Sequence, residues 1–537
     1  MHRLSLAILA LAIGAAALAS ADAPVRAEAG PSRRYIVVLQ PGQAPAAVAG
    51  GHNLALGRSY SRVFSGFSAE LTDAEAERLR ADPRVRGVAP DHAVQVAGAA
   101  ATLPGATPGL PKGVDRIDAE LSPPHKTVGL AVLDSGIDTG RPEFNLRDAR
   151  SFVAGLSPED EFGHGTHVAG IATARVMATG FRGVARGSPL WSLRVVGPAG
   201  MGTEVDLVAA IDWLTANGPG LGIRVANISL ITAGSSSANC GQSGQTIVDP
   251  LHYAICQSTQ AGIVYVASAA NQGIVVANPP AVYPEVLAVS NVQDNDGRGD
   301  ALGGAGDDVF HTTSNFGAPV DLAAPGMTIL STVPPGGCTF CSPTGYATLT
   351  GTSQAAPHVA GALATYIMRN PGVSTTGAPG ALSPAALALI AQAKPQSGAC
   401  GYSGDPDATH EPFAYVGIPD STCGAVALTD SDGDGLPDGV EAVYGTNPNA
   451  ADTDADTCLD RKEVEHYLPM NPLDARDFTD ANDDGKVSFA DLIILAGTYG
   501  KTSSSPGWDP RADFDLNGAA GFSDLLLLAA VYTTSCP

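Results

Sequence analysis

Gly351-Thr352-Ser353-Gln354-Ala355-Ala356-Pro357-His358-Val359-Ala360-Gly361 sets a serine in a run of small residues where a buried helix is expected to begin. A serine hydroxyl is a weak nucleophile at its free pKa, so a reactive one needs a base and a carboxylate to orient that base. Both have candidates upstream. Asp134 ends the apolar run Val128-Gly129-Leu130-Ala131-Val132-Leu133, and His164 opens His164-Gly165-Thr166-His167-Val168-Ala169-Gly170. His164 would take the hydroxyl proton and return it to a leaving amine, while Asp134 would hold the imidazole tautomer and stabilise the imidazolium. A serine at a helix N-terminus also has backbone N–H groups near developing negative charge. Pro357 is costly in an ordinary helix interior, so its presence marks the motif as positional.

Around these motifs, short apolar runs alternate with helical patterns from about residue 113 to 395. Val225-Ala226-Asn227-Ile228-Ser229-Leu230, Gly262-Ile263-Val264-Tyr265-Val266-Ala267 and Val286-Leu287-Ala288-Val289-Ser290 read as buried parallel strands, and Thr203 to Thr215 as an amphipathic helix. The fold class is therefore α/β, a doubly wound, mainly parallel sheet whose sites lie at the carboxyl ends of strands. Asp134 stands at such an end.

The three motifs, in the order Asp134, His164, Ser353, resemble the subtilase family of serine proteases, nearest its proteinase-K-like branch. The resemblance implies a subtilisin-like catalytic domain at 113–395 and peptide-bond hydrolysis through an acyl-enzyme, with no cofactor for catalysis. Asn271, just after a strand, matches the family's oxyanion asparagine, although the residue before it is Ala270 where glycine is usual. His167 and His358 are implied to be structural. Gln354 replaces the methionine common after the nucleophile, which is prone to sulfoxide formation. Ser229, Leu230 and Ile231 resemble one substrate-binding strand, and Gly200, Met201 and Gly202 the other, flanking a peptide in β-augmentation style. The P1 preference stays open, with apolar or aromatic residues suggested by family analogy. Asp321, with the carbonyls of Pro284 and Val286, resembles the family's strong calcium site, oxygen ligands suiting that ion.

The 537 residues exceed one ordinary domain. Residues 1–23, with Arg3, the apolar run Leu4–Leu18 and Ala19-Ser20-Ala21, read as a secretory signal peptide, which predicts export. No later apolar stretch has the length of a membrane span. Export makes the eight cysteines disulfide formers. Proximity suggests Cys240–Cys256 and Cys400–Cys423, while Cys338-x-x-Cys341 reads as a disulfide with a redox or zinc pair left open. Next comes a small α+β layout over 33–97: the β-type run Arg34–Leu39, a capped helix start at Thr72-Asp73-Ala74-Glu75, and a second run from Val85 to His92. Its position resembles the inhibitor-type propeptide of subtilases, an intramolecular inhibitor cut off within the Ala, Gly and Pro-rich linker 98–112. Residues 396–427 read as a plain connecting segment.

The net charge is −24, and from Asp420 onward 22 Asp and Glu face six Lys and Arg, leaving −16. Such a balance excludes nucleic acid as a natural partner and suits divalent cations. Oxygen ligands recur at loop positions 1, 3, 5, 9 and 12, often with glycine at 6. In 428–475, Asp430, Asp432, Asp434, Asp438 and Glu441, then Asp452, Asp454, Asp456, Asp460 and Glu463, resemble thrombospondin type 3-like calcium repeats, with Thr457 in the second glycine's place. In 476–537, Asp480, Asn482, Asp484, Ser488 and Asp491, then Asp513, Asp515, Asn517 and Asp524, each lead into an apolar helix and resemble a dockerin type I module. Two functions are expected to compete: a secreted endopeptidase acting on proteins or peptides, stabilised by calcium, and a calcium-dependent binding protein whose tail docks to a cohesin-like or cell-surface partner.

Overall fold

Arg33–Leu39 (β1) carries the apolar run Tyr-Ile-Val-Val-Leu, and it becomes an inner strand of a four-stranded antiparallel sheet. Ser59–Tyr60 (β2), Gly66–Leu71 (β3) and Val85–Pro90 (β4) complete it in the order β2–β3–β1–β4. The helices Pro45–Gly51 (α1) and Asp73–Arg80 (α2) cover one face, around Tyr35, Val37, Phe67, Leu71 and Leu79. The Thr72 start of α2 forms a capping box: Thr72 N–H donates to Glu75 at 2.8 Å and Glu75 N–H to Thr72 Oγ1 at 3.3 Å. Such a cap contributes about 1 kcal/mol. The other face, with Ile36, Val38, Tyr60, Val63 and Phe64, is buried against two helices of the larger domain, Glu204–Asn217 (α5) and Pro250–Gln260 (α6). At its rim, Asp212 Oδ1 accepts the N–H groups of Ser61, Arg62 and Val63 at 2.7–3.1 Å. Arg58 pairs with Asp206 at 2.8 Å.

The computed structural model describes residues 31–537 except 98–99, 105, 121, 123–126, 178, 234–239, 241–244, 300–303, 399, 417–428, 456–457, 466–472, 474–480, 482–485, 503–504, 510–511, 513, 515–518 and 532–537. The expected signal peptide lies outside the described residues.

Between the two domains run Ala93–Val96 (β5) and Ala100–Pro104 (β6), then a short helix, Lys112–Arg116 (α3). The larger domain is built on Gly129–Asp134 (β7), Asn145–Ser151 (β8), Pro189–Arg194 (β9), Met201–Thr203 (β10), Ile223–Ile228 (β11), Leu230–Thr232 (β12), Val264–Ser268 (β13), Val286–Gln293 (β14), Val309–Phe310 (β15) and Leu322–Pro325 (β16). Its main sheet has the order β15–β14–β13–β11–β7–β9–β8, with β16 on β14. All pairings are parallel except that of β15. From β7 the chain winds first to β8 and β9 on one side and then to β11, β13 and β14 on the other. The switch point therefore falls between β7 and β11, where ligands bind in such sheets. His164–Thr173 (α4) and Thr352–Arg369 (α7) pack on one face with Val132, Val225, Val266, Leu287 and Val359, and α5 and α6 cover the other. Each Val or Leu buried in these layers contributes about 1.5–3 kcal/mol.

Two expectations about connections change. The linker 98–112 contains β6, which pairs antiparallel with Tyr346–Thr350 (β18) beside Ile329–Thr332 (β17). The segment expected as a plain connection, 396–427, belongs to the core as far as Val416: Tyr402, Phe413, Ala414 and Val416 lie in the same apolar cluster as α7. Arg116, fully buried, binds the carbonyls of Cys400 and Gly401 and pairs with Asp308 at 2.7 Å, which locks this return into place. It follows the helix Pro384–Gln392 (α8).

Cys240–Cys256 and Cys338–Cys341 are disulfides, and Cys400 and Cys458 are also disulfide-bonded. Cys423, expected to join Cys400, lies outside the described residues. In the tail, Asp438–Tyr444 (α9) and Asp460–Glu465 (α10) precede Phe489–Thr498 (α11) and Phe522–Val531 (α12), which share a small core of Val487, Leu495, Ala520 and Leu528. Among the described residues no helix is long and apolar enough to cross a membrane.

Candidate active site

Asp134 ends β7 at the switch point and is buried. Its Oδ1 accepts Ser135 N–H at 2.7 Å and bonds His164 Nδ1 at 2.8 Å. His164 is the first residue of α4, after Gly163 at φ 96°. One residue that sequence reasoning missed holds this helix start. Asp160 is buried and accepts five bonds: Ser135 Oγ, Phe162 N–H and Gly163 N–H on Oδ1, and the N–H and hydroxyl of Thr166 on Oδ2, all at 2.7–3.1 Å. The available signal was a carboxylate four residues before His164, ahead of a glycine, where a helix start needs an acceptor.

Ser353 lies in the first turn of α7, after Gly351. Gly351 has φ 155°, which L side chains rarely adopt, and a Cβ there would stand 3.2–3.3 Å from the amide of Asn271 and the Gln354 side chain, so the position favours glycine. Pro357 removes the N–H that would normally bond the Ser353 carbonyl. That carbonyl accepts the Ser229 hydroxyl instead, at 3.0 Å, joining the backbone of residue 353 to the residue after β11. The cost of the proline is thus absorbed by a side chain.

The cleft is filled by the chain's own segment. β5 lies antiparallel between β10 and β12, with Gln95 opposite both Met201 and Ile231, Val94 opposite Gly202 and Thr232, and Val96 opposite Leu230. At its end the Ala97 carbonyl accepts the Ser353 hydroxyl at 3.1 Å and the Asn271 side-chain amide. Asn271 is fixed from the other side, its Oδ1 accepting Thr352 N–H at 2.8 Å. Ser353 Oγ also faces the Ser229 carbonyl at 3.3 Å, and Nε2 of His164 has no hydrogen-bond partner. The hydroxyl is thus engaged by the resident segment and makes no bond to His164. Of the expected substrate-binding residues, Met201, Gly202, Leu230 and Ile231 stand opposite β5, Gly200 accepts Val96 N–H at 3.0 Å, and Ser229 accepts Ala97 N–H at 3.3 Å.

Ala270 has φ 78°, a left-handed conformation that costs an alanine about 1–2 kcal/mol. Two bonds hold it there: its N–H to Thr352 Oγ1 at 3.0 Å, and its carbonyl from Asn315 N–H at 2.9 Å. Its methyl packs with Ala97 and Ile231 in one buried cluster.

His167 bonds the carbonyls of Ile329 and Ala347 through Nε2, and burial, then the neighbouring His164, lowers its pKa to about 3. Burial likewise lowers His358 to about 4, with Nδ1 against the Gln354 carbonyl. Both are spoken for by backbone. Gln354 is buried, and neither atom of its side-chain amide has a hydrogen-bond partner. Leaving such a group unsatisfied costs about 1–3 kcal/mol. Gln354→Met is therefore expected to raise unfolding stability by about 1–3 kcal/mol and to make activity peroxide-sensitive, whereas the native protein withstands dilute peroxide. Thermal unfolding and activity after peroxide check both; a less stable variant, or a native protein inactivated as fast, refutes the reading.

Asp321 Oδ2 accepts Ala288 N–H at 2.9 Å, two residues into the strand that Val286 opens, and burial pushes its pKa up to about 7. In the tail, carboxylate oxygens of Asp430, Asp432 and Asp434 come within 4.8 Å of one another. Asp432 Oδ2 and Glu441 Oε2 are buried without hydrogen-bond partners. Burial, then Asp432, Asp434 and Asp438, push Glu441 up to about 7. Asp438 is engaged by Ser431, and in the next repeat Asp452 accepts Ala455 N–H and Asp460 the N–H and hydroxyl of Thr453. Asp454 and Glu463 belong to the same repeat. Ser488 caps α11 with Asp491, and Asp524 accepts Gly521 N–H at the start of α12. Asp456, Asp480, Asn482, Asp484, Asp513, Asp515 and Asn517 lie outside the described residues.

The structure holds a buried aspartate–histidine pair, and a helix-start serine and an asparagine amide that meet on one carbonyl, groups of the kind a serine hydrolase uses. Residues 125–400 match the subtilase family, residues 34–97 the peptidase inhibitor I9 family, and residues 430–451 the bacterial TSP3 repeat. The chain is 33% identical over 312 residues to an alkaline protease of Alkalihalobacillus alcalophilus, covering 57% of this chain and 70% of that protein. It is 35% identical over 270 residues to subtilisin Savinase of Lederbergia lenta, covering 49% and 87%. Fervidolysin from Fervidobacterium pennivorans, a solved structure, shares the fold at TM-score 0.52 and 20% identity, over 66% of this chain and 61% of that one. The chain belongs to the subtilase family, and it is a serine endopeptidase with an I9-type propeptide.

Proposed function

We propose that Ser353, His164 and Asp134 form the catalytic triad and Asn271 the oxyanion donor, in an exported protease that frees itself by cutting after Ala97. The observation that carries this reading is the Ala97 carbonyl, held by the Ser353 hydroxyl and the Asn271 amide at the end of a strand seated between β10 and β12. Ser353 Oγ attacks that carbonyl carbon as His164 accepts the hydroxyl proton. Asn271 donates to the oxygen as it gains charge, and His164 then protonates the leaving amine of Gly98. Water releases the acyl group by the same steps in reverse order. Asp134 orients the imidazole throughout, and Asp160 positions the turn that carries it. Residues 33–97 serve as the propeptide and residues from 98 onward as the enzyme. The processed chain is therefore expected to begin at Gly98, which its intact mass and N-terminal sequence measure. An N-terminus elsewhere in 98–112 would overturn Ala97 as the P1 residue. The close packing of Ala97 on Ala270 and Ile231 supports a preference for small apolar P1 residues.

Disulfides and the leader-like first 23 residues support export. Calcium fits the tail, because Asp432 Oδ2 and Glu441 Oε2 are buried without donors among the described residues, and oxygens of Asp430, Asp432 and Asp434 cluster there. Asp430, Asp432, Asp434 and Glu441 would hold it, and Asp321 with the Pro284 and Val286 carbonyls would hold another ion in the catalytic domain. Bound calcium supplies positive charge that keeps these carboxylates together. Chelation is expected to loosen the tail and expose it to added trypsin within 430–465; an unchanged digest with and without chelator would refute this.

A second reading, docking of the tail to a cohesin-like or cell-surface partner, draws on one observation. The helices α11 and α12 each expose a phenylalanine and an aliphatic residue one turn on, Phe489 with Ile493 and Phe522 with Leu526. Retention of the tail alone on such a partner in calcium, and its loss in chelator, would test it.

A further inference from the structure

The α6 helix places His252 and Cys256 one turn apart on one face. Facing them are Cys240, after the substrate strand β12, and Glu285, just before β14. All four residues are buried. His252 Nε2 lies 3.0 Å from Glu285 Oε2 and 3.8 Å from Cys240 Sγ. Glu285 Oε1 lies 3.0 Å from Cys256 Sγ and also touches Cys240 Sγ. One donor atom from each residue falls within 4.8 Å of all the others.

In the disulfide neither sulfur carries a proton, so Oε1, wedged against both, gains nothing from them; the donor it does meet is Gly380 N–H at 2.5 Å. Aiming a buried carboxylate at two sulfurs is costly unless a cation joins them. Two thiolates, an imidazole nitrogen and a carboxylate oxygen are a donor set for tetrahedral zinc. Neighbouring groups hold the histidine in place. Tyr283 stacks on the His252 ring at 4.2 Å and 6°, and Asp249 accepts the backbone N–H of His252 at 3.0 Å and the Tyr283 hydroxyl at 2.9 Å.

We propose that Cys240, His252, Cys256 and Glu285 form a zinc site in the reduced chain, of which the disulfide is the metal-free oxidised form. Reduction consumes two small-molecule thiols, which leave as one disulfide while their two protons and two electrons pass to Cys240 and Cys256. Zinc then displaces those two protons from the sulfurs. Oxidation by a small disulfide reverses both steps and releases the ion. The site ties the loop after β12 to α6 in either state, by a covalent bond in one and by a metal in the other.

The test uses the full chain carrying Ser353→Ala, to prevent self-digestion, with Cys338→Ser and Cys341→Ser to remove the other nearby thiol pair. It is equilibrated in glutathione buffers of graded thiol-to-disulfide ratio, with and without Zn2+. Alkylation and peptide mass spectrometry then read the oxidation state of Cys240 and Cys256, whether or not the rest of the chain is folded. Zinc at about 100 times its dissociation constant is expected to lower the squared thiol concentration over the disulfide concentration needed for half-reduction about a hundredfold. The shift should shrink at least tenfold with His252→Ala. In a phosphine-reduced sample, Co2+ should give a thiolate charge-transfer absorption that the added change Cys256→Ser abolishes. A midpoint that zinc does not move, or a shift as large in His252→Ala as in its parent, overturns the proposal.

Discussion

Ser353→Ala is expected to leave the precursor uncut, with propeptide and enzyme in one chain, and to lower peptide hydrolysis by about six orders of magnitude, as loss of the nucleophile does in subtilisin. The variant should fold. The hydroxyl's bonds go to the Ala97 and Ser229 carbonyls, and its removal costs roughly 1 kcal/mol. The backbone carbonyl of residue 353 still receives the Ser229 hydroxyl, so the unusual helix start survives. Mass measurement of chain produced in a protease-free background reads the outcome. A Ser353→Ala precursor that still processes itself would remove Ser353 from the reaction.

Asn271→Ala is expected to lower kcat by about 10²–10³ with KM nearly unchanged, the range that loss of the oxyanion side chain spans in subtilisin. The reason is differential. The amide meets a carbonyl that is weakly charged in the ground state and fully charged in the tetrahedral intermediate, so its removal falls on the transition state. Thr352 N–H also loses its acceptor, which adds a stability cost of about 1–3 kcal/mol. Asn271→Asp separates the two effects, since it keeps an acceptor for Thr352 but offers no donor to the oxygen. Equal losses in kcat and in affinity would point to a ground-state role.

The residues proposed for catalysis were legible because each sits in a short local pattern: a strand-end aspartate, a helix-start histidine, a serine at a helix start just after glycine and threonine. The propeptide helix was legible from Thr72 and Glu75 for the same reason, since a capping box spans four residues. Asp160 was hidden because its importance lies in five donors folded around it, four of them from residues 162–166 and one from Ser135. Ala97 was hidden for a stronger reason. Nothing in Val94-Gln95-Val96-Ala97 says that it will lie between strands more than a hundred residues away, so the expected cut could be placed no more finely than within 98–112. Tyr402, Phe413 and Val416 were passed over because they are spaced too irregularly to read as a strand or helix, yet burial needs only that they reach the core.

The strands β10 and β12 are separated by the width of one extended chain, and among the described residues β5 bridges them. Once that segment departs, the enzyme is left with two open sheet edges facing each other across a slot. Whatever enters must offer at least four residues of backbone with both hydrogen-bonding edges free, a state that no helix and no interior strand can present. The rate at which a folded protein is cut is then governed by how often that protein opens locally: each 1.4 kcal/mol of opening cost lowers cleavage about tenfold. Such an enzyme ranks its targets by their looseness first and by their side chains second, and its own tightly packed catalytic core is among the poorest of them.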